Sequence, residues 1–245
     1  MKKNRKYGLI GKNIDYSFSK KFFSEKFEKE NLNCMYSNFD IENISHVKLI
    51  LQDDTINGFN VTIPYKEEII KFLDEIDEAA KTIGAVNTIK KINNKYIGFN
   101  TDFIGFEKSL IGLIENKKPE NALILGSGGA SKAVKYVLNK LNINYSTVSR
   151  KSGKSEFIYE NLNNEIINSF KLIINCSPVG TYPNINDSPN IPYEYLTEDH
   201  ILYDLIYNPA ETLFLKKGRT SGCKIKNGLE MLEVQANEAW RIWNS

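Results

Sequence analysis

The sequence predicts an α/β fold in two domains, and three observations carry that reading. Short apolar runs of strand length alternate with stretches whose apolar residues follow the helical period, as at 6–10 followed by 18–30 and at 121–125 followed by 130–141. The second of these pairs is joined by Gly126-Ser127-Gly128-Gly129-Ala130, a glycine turn between strand and helix. A length of 245 residues is enough for one large or two modest domains, each with its own core.

Composition narrows the partners. A net charge of +2 from 32 basic and 30 acidic residues gives no footprint for nucleic acid or an acidic membrane surface, so a small-molecule substrate is expected. Cys34, Cys176 and Cys223 are far apart and show no CxxC spacing, which points to neither a disulfide framework nor a zinc site and fits a reduced cytosol. His46 and His200 stand in unrelated surroundings, so histidine triads and multi-histidine metal sites are excluded and no metal is expected. The opening MKKNRKYGLIGK lacks the apolar core of a signal peptide, and no run approaches membrane-spanning length.

Lys6 to Ile10 reads as a buried strand, and Phe18 to Glu30 as a helix with Phe22, Phe23 and Phe27 on one face and Lys21, Glu25 and Lys29 as a solvated ion-pair stripe. The loop between them carries Ser17 and Ser19, with Ser19 suited to cap the helix. A second strand spans Cys34 to Phe39, a helix Ile44 to Leu51, and a third strand Gly58 to Val61. That third strand delivers Asn60, Thr62 and Lys66 to its C-terminal end, where open α/β sheets bind ligands.

Pro64 then suits the first turn of a helix backed by Ile69, Ile70, Phe72 and Leu73. Acids belong in that turn, as Glu67 and Glu68 do, and Lys66 breaks the rule. Alone it is a surface lysine; its company, GAVNT at 84–88 and GFNTD at 98–102, argues for chemistry. Asp74 to Thr82 reads as a helix, and Val86 to Lys91 with Lys95 to Phe99 as a hairpin about Asn93-Asn94. Asn87 begins the hairpin and Asp102 follows it. Asn100 or Thr101 caps a helix running to about Glu115, with Asp102 in the first turn, where a carboxylate suits the helix end.

In the second half, Asn121 to Leu125 is a strand, and Ala130, Ala133, Val134, Val137, Leu138 and Leu141 give the following helix its period. Strand, glycine turn and helix are the context of the dinucleotide fingerprint, with Ser131 replacing its third glycine; backbone N–H groups at the helix start would hold a pyrophosphate. The next strand ends near Val148, where an NAD enzyme would offer an acid to the ribose. Here stand Ser149, Arg150 and Lys151, with Lys154 close by, which argues for a 2′-phosphate and hence NADP. Leu172 to Asn175 is a strand, Thr181 to Leu196 a long irregular connection, and Ile201 to Ile206 the last core strand. Asn227-Gly228-Leu229-Glu230-Met231-Leu232 opens a C-terminal helix with Ala236, Ala239, Trp240 and Trp243.

GFNVTIPYK at 58–66, with the motifs at 84–88 and 98–102 behind it in order, resembles the signature of the shikimate dehydrogenase family. CSPVG at 176–180, YNPAET at 207–212 and the C-terminal helix extend the resemblance to nearly the full length. It implies a substrate-binding, catalytic domain formed by 1–102 and 228–245 with a mainly parallel sheet, a Rossmann-like NADP(H)-binding domain at 103–227, and an active site in the cleft between them. The implied activity is reversible NADPH-dependent reduction of 3-dehydroshikimate to shikimate, in cytoplasmic aromatic amino-acid (chorismate) biosynthesis, by a monomer or homodimer. Lys66 and Asp102 match the family's catalytic pair. Ser17, Ser19, Asn60, Thr62, Asn87, Tyr207 and Gln235 match its substrate contacts, and Gly126, Ser127, Gly128, Gly129, Ala130, Ser149, Arg150, Lys151, Leu205, Gly228 and Met231 its cofactor contacts. Lys20, where the family has proline, and Glu230, where it has a small residue, depart from the pattern. Two alternatives stay open: a quinate/shikimate dehydrogenase paralogue with NAD or an altered substrate preference, and a catalytically silent NADP-binding regulatory module, against which the joint presence of Lys66 and Asp102 speaks.

Overall fold

The computed structural model describes residues 5–15, 17–114, 117–151, 153 and 155–245. The chain divides into two units, Met1–Asp102 with Gln235–Ser245, and Phe103–Val234. The return to the first unit therefore falls inside the last helix, at Gln235, and not at its start.

The first unit holds strands β1 (Arg5–Gly11), β2 (Cys34–Asp40), β3 (Ile56–Val61), β4 (Glu75–Ile76), β5 (Thr88–Ile92) and β6 (Lys95–Phe99), with helices α1 (Phe18–Lys29), α2 (Val47–Leu51) and α3 (Glu78–Ile83). The sheet order is β2-β1-β3-β5-β6-β4. β1 pairs in parallel with β2 and β3, and β4 with β6, while β5 runs antiparallel to both its neighbours. Alternation along β1 sends Tyr7 and Leu9 to one face, with Phe23, Phe27 and Trp243, and Ile10 to the other, with Phe59, Ile69 and Ile89. Trp243 stacks on Tyr7 at 4.6 Å and donates its indole N–H to the Ile89 carbonyl at 3.0 Å. Gly58 makes this approach possible, because a Cβ there would lie 2.4 Å from the indole nitrogen. Asn93 and Asn94 both take positive φ, 50° and 63°, in the turn between β5 and β6.

Three expected helices are corrected. Residues 64–67 form a turn followed by a 3-10 segment, Glu68–Phe72, and no α-helix starts at Pro64. The Lys66 carbonyl accepts from the Val86 N–H at 2.8 Å, which takes it out of any helical ladder. Helix Asp74 to Thr82 is instead β4 and then α3, capped by Asp77, whose carboxylate accepts from the Ala79 and Ala80 N–H groups. Ile44 to Leu51 begins as a 3-10 turn, Ile44–His46, before α2.

In the second unit every strand is parallel: β7 (Asn121–Leu125), β8 (Asn144–Ser149), β9 (Phe157–Ile158), β10 (Leu172–Asn175), β11 (Ile201–Asp204) and β12 (Lys224–Lys226), in the order β12-β11-β10-β7-β8-β9. Helices α4 (Asp102–Ile114), α5 (Gly129–Lys140), α6 (Asn164–Ser169) and α7 (Leu213–Thr220) accompany them, and α8 (Leu229–Asn244) ends the chain. Ala122 and Ile124 feed one core, with Phe106 and Val134, and Leu123 and Leu125 the other, with Ile173 and Phe214. A continuous buried run suits a sheet covered on both faces. The last core strand, expected from Ile201 to Ile206, ends at Asp204, and β12 follows it as an edge strand. Among the described residues no helix is long and apolar enough to cross a membrane.

Candidate active site

Lys66, in the turn after β3, reaches Asp102, the first residue of α4: Nζ donates to Oδ2 at 2.7 Å. The side chains are 18% and 11% exposed, so the pair lies at the edge of the solvent and not within a core. The second carboxylate oxygen, Oδ1, accepts from Asn87 Nδ2 at 2.8 Å. Asn87 has one possible orientation. The Thr101 N–H can only donate, and it meets Asn87 Oδ1 at 2.7 Å, which turns the amide NH2 toward Asp102. Gln235 closes the cluster, its Oε1 accepting from Thr101 Oγ1 at 3.2 Å and from Asn87 Nδ2 at 3.4 Å.

A second chain of bonds runs beneath. Asn60 Nδ2 donates to the Asn87 carbonyl and to Thr88 Oγ1, both at 3.2 Å, while its Oδ1 accepts from the Tyr36 hydroxyl at 2.8 Å. Burial drives the Tyr36 phenol strongly upward in pKa, and a hydrogen bond with Ser19 pulls it back in part. Ser17, not Ser19, caps α1, its Oγ accepting from the Lys20 N–H at 3.4 Å. Lys20 thus supplies a backbone donor that a proline would lack. Thr62 lies just past β3, partly exposed. The first unit therefore joins Lys66, Asp102, Asn87, Asn60 and Gln235 through direct bonds and adds Tyr36 and Thr88, which the sequence reading did not single out, and Thr101, which it read only as a helix cap. Thr101 had a signal in its place between Asn100 and Asp102, whereas Tyr36 looks like any strand tyrosine.

The second unit carries a cavity of about 590 Å3 at the carboxyl ends of β7, β8 and β10, where the sheet order reverses. Gly126, Ser127 and Gly128 line one side, Ser149 and Arg150 another, and the Cys176-to-Val179 loop a third. Gly126 takes φ +104°, and a Cβ there would meet the Ser177 nitrogen at 3.2 Å. Gly128 caps α5 without a side-chain hydrogen bond, so no side chain occupies the helix N-terminus, an end that favours an anion. Ser131, in the third glycine's place, is buried and donates its hydroxyl to the Gly128 carbonyl at 2.7 Å. Ser149 Oγ donates to the Lys151 carbonyl at 2.8 Å and so folds the loop that presents the exposed Arg150. Lys154 lies outside the described residues. Burial raises the Tyr159 phenol to about 12, and Arg150 lowers it in part. A glycine cradle, a helix N-terminus and a guanidinium suit a dinucleotide bearing an extra phosphate.

Leu205, Gly228 and Met231 are set apart from the lining of that cavity. A Cβ on Gly228 would lie 2.1 Å from the Leu205 carbonyl oxygen, and Met231 is buried with Phe106 in the core. Glu230 pairs with Lys226 and accepts from Ser109 Oγ at 3.4 Å, which accounts for an acid at that position. Tyr207, in the loop after β11, has its phenol pushed up by burial.

The sequence model of the family described as "Shikimate dehydrogenase substrate binding domain" matches residues 9–89. The chain is 40% identical over 257 residues to the shikimate dehydrogenase (NADP(+)) of Methanococcus aeolicus, with 98% of this chain and 92% of that protein covered. A solved shikimate dehydrogenase in complex with NADP+ superposes with a TM-score of 0.87 at 37% identity, covering 98% of this chain and 90% of that one. The shikimate 5-dehydrogenase from Thermus thermophilus, solved with NADP(H) and shikimate, gives 0.85 at 28% identity, with 97% and 92% covered.

Proposed function

The chain belongs to the shikimate dehydrogenase family, and from that premise we propose how its own residues divide the work. The enzyme is an NADP-dependent oxidoreductase that interconverts shikimate and 3-dehydroshikimate. NADPH, when bound, supplies the hydride that reduces the ketone carbon. The chain must then protonate the oxygen as charge builds on it.

Lys66 is the proton donor in reduction and the acceptor in oxidation. The observation that carries this assignment is its 2.7 Å contact with an Asp102 whose other oxygen is already held by Asn87. Among the described residues one N–H of the ammonium is taken, by Asp102, and two are left for a substrate oxygen. Asp102 aims the lysine, and Asn87, fixed by Thr101, aims Asp102. Ser17, Ser19, Asn60, Thr62, Asn87, Tyr207 and Gln235 bind the carboxylate and hydroxyls, a polar set that disfavours substrates lacking a hydroxyl because its own groups would be left unpaired.

The 590 Å3 cavity takes NADP, with the 126–130 turn on the pyrophosphate and Ser149, Arg150 and Lys151 on the 2′-phosphate. Leu205, Gly228 and Met231 support the nicotinamide side. We assign the enzyme to the cytoplasm, where Cys34, Cys176 and Cys223, all free thiols, stay reduced.

Absorbance at the NADPH band tests the reading: purified protein is mixed with shikimate and NADP, then with NAD, then with quinate in place of shikimate. Fast reduction with shikimate and NADP alone is expected. Equal rates with NAD would remove the Arg150 argument, and silence in every combination from folded protein would remove the catalytic assignment of Lys66 and Asp102.

A further inference from the structure

The loop that forms the third wall of the cavity has no helix or strand of its own to hold it. Its two ends are tied to one amide. Asn175, the last residue of β10, accepts through Oδ1 from the Ser177 N–H at 3.0 Å and from Ser177 Oγ at 2.7 Å. Through Nδ2 it donates to the Val179 carbonyl at 3.4 Å. Both halves of the amide are therefore in use, and each has to face the correct way. A flipped amide would set its NH2 against the Ser177 N–H and its oxygen against the Val179 carbonyl, losing both of those bonds.

The amide's orientation is imposed from below. Asp204, fully buried at the end of β11, accepts from Asn175 Nδ2 at 3.0 Å through Oδ1, which also accepts from the Ile206 N–H at 3.1 Å. Its Oδ2 accepts from Thr212 Oγ1 at 2.6 Å. A carboxylate oxygen has no hydrogen to offer, so it meets Asn175 only through the NH2. We propose that Asp204 is a positioning residue for the cofactor: by fixing the Asn175 amide it sets the Ser177-to-Val179 wall in the form that accepts NADP. This rests on the cavity being the NADP site.

The role needs an acceptor at 204 and not a negative charge, and that separates it from general structural support. Asparagine can keep Oδ1 on Asn175 and Ile206 and donate its NH2 to Thr212; alanine can do neither.

Titration calorimetry with NADP+ on the full chain tests the proposal, with melting temperatures measured alongside. Asp204→Ala should raise the Kd for NADP+ roughly tenfold, and Asp204→Asn should restore it to within about twofold of the parent. In Ser177→Ala, the further effect of Asp204→Ala on Kd should shrink, since both act through one amide. If Asp204→Ala does not fold, Asn175→Leu removes the same link from its other end and should raise Kd equally. An unchanged Kd in the folded alanine or leucine variant would overturn the proposal, as would asparagine doing no better than alanine. Arg150→Ala is the control on the site itself: if it too leaves the Kd unchanged, the reading of the cavity is what fails.

Discussion

Replacing Lys66 with methionine keeps most of the side chain's apolar stem and deletes only the ammonium. A positioned general acid contributes about 10²- to 10⁴-fold, or roughly 3–5 kcal/mol in the barrier, and among the described residues no second ammonium is bonded to Asp102 to share the task. kcat should therefore fall by that factor in both directions. The shikimate KM should change by less than about fivefold, because the other polar contacts remain. The cost in stability is smaller than for a fully buried pair, since Lys66 keeps 18% and Asp102 11% of their side-chain exposure and Asn87 still donates to Asp102 Oδ1. A loss of about 1–2 kcal/mol, a few degrees in Tm, is expected. Steady-state kinetics with saturating NADP, together with a thermal melt, measure both quantities. A kcat within tenfold of the parent with KM raised by more than that would make Lys66 a binding residue and refute the proton-transfer assignment.

Other perturbations bear on other parts of the molecule. Arg150→Ala, which removes the cation presented by the loop folded over Ser149, should raise the KM for NADP roughly tenfold or more and leave that for NAD nearly unchanged. Tyr36→Phe strips Asn60 Oδ1 of its donor and should raise the shikimate KM about five- to tenfold with little effect on kcat. Gly228→Ala sets a Cβ against the Leu205 carbonyl, rigid backbone that cannot give way, and should lower Tm by several degrees. Burial raises the Asp204 carboxyl from 3.8 to about 6, outweighing its bonds to Thr212, Ile206 and Asn175. The folded state thus holds that proton more tightly than the unfolded chain does, and the resulting contribution is complete below about 3.8 and lost as pH rises through about 6, above which Asp204 is the carboxylate that meets Asn175. The stability of the parent relative to Asp204→Asn should therefore fall by roughly 3 kcal/mol between pH 3.5 and 7.5 in denaturant titrations.

What was legible in the chain depended on how local the cause was. β7 and β10 were read at their true bounds because runs such as NALIL and LIIN are buried on both faces and need no partner to explain them. The Asn93-Asn94 turn was equally legible, its positive φ values being a property of those residues. The helix expected at Pro64 was lost to a distant partner, the Val86 N–H, which no local pattern announces. β12 went unread because Lys224-Ile225-Lys226 is three residues long and mostly polar, as a sheet edge can be. At the site, Lys66, Asp102 and Asn87 stood out by motif, but their supports did not. Tyr36 and Asp204 end up beside Asn60 and Asn175 only once separate strands pair.

The stacking of Trp243 on Tyr7 has a spectroscopic consequence. Both tryptophans of the chain, Trp240 and Trp243, fall in the first unit, and the second has none. Indole emission during denaturation therefore follows one unit alone, while far-ultraviolet circular dichroism follows the helices of both. Coincident curves would mean that the two halves melt together; separated curves would give each its own midpoint. Adding NADP then becomes a labelling experiment. If the halves melt independently, the ligand delays the dichroism of the half that holds it and leaves the tryptophan transition where it was.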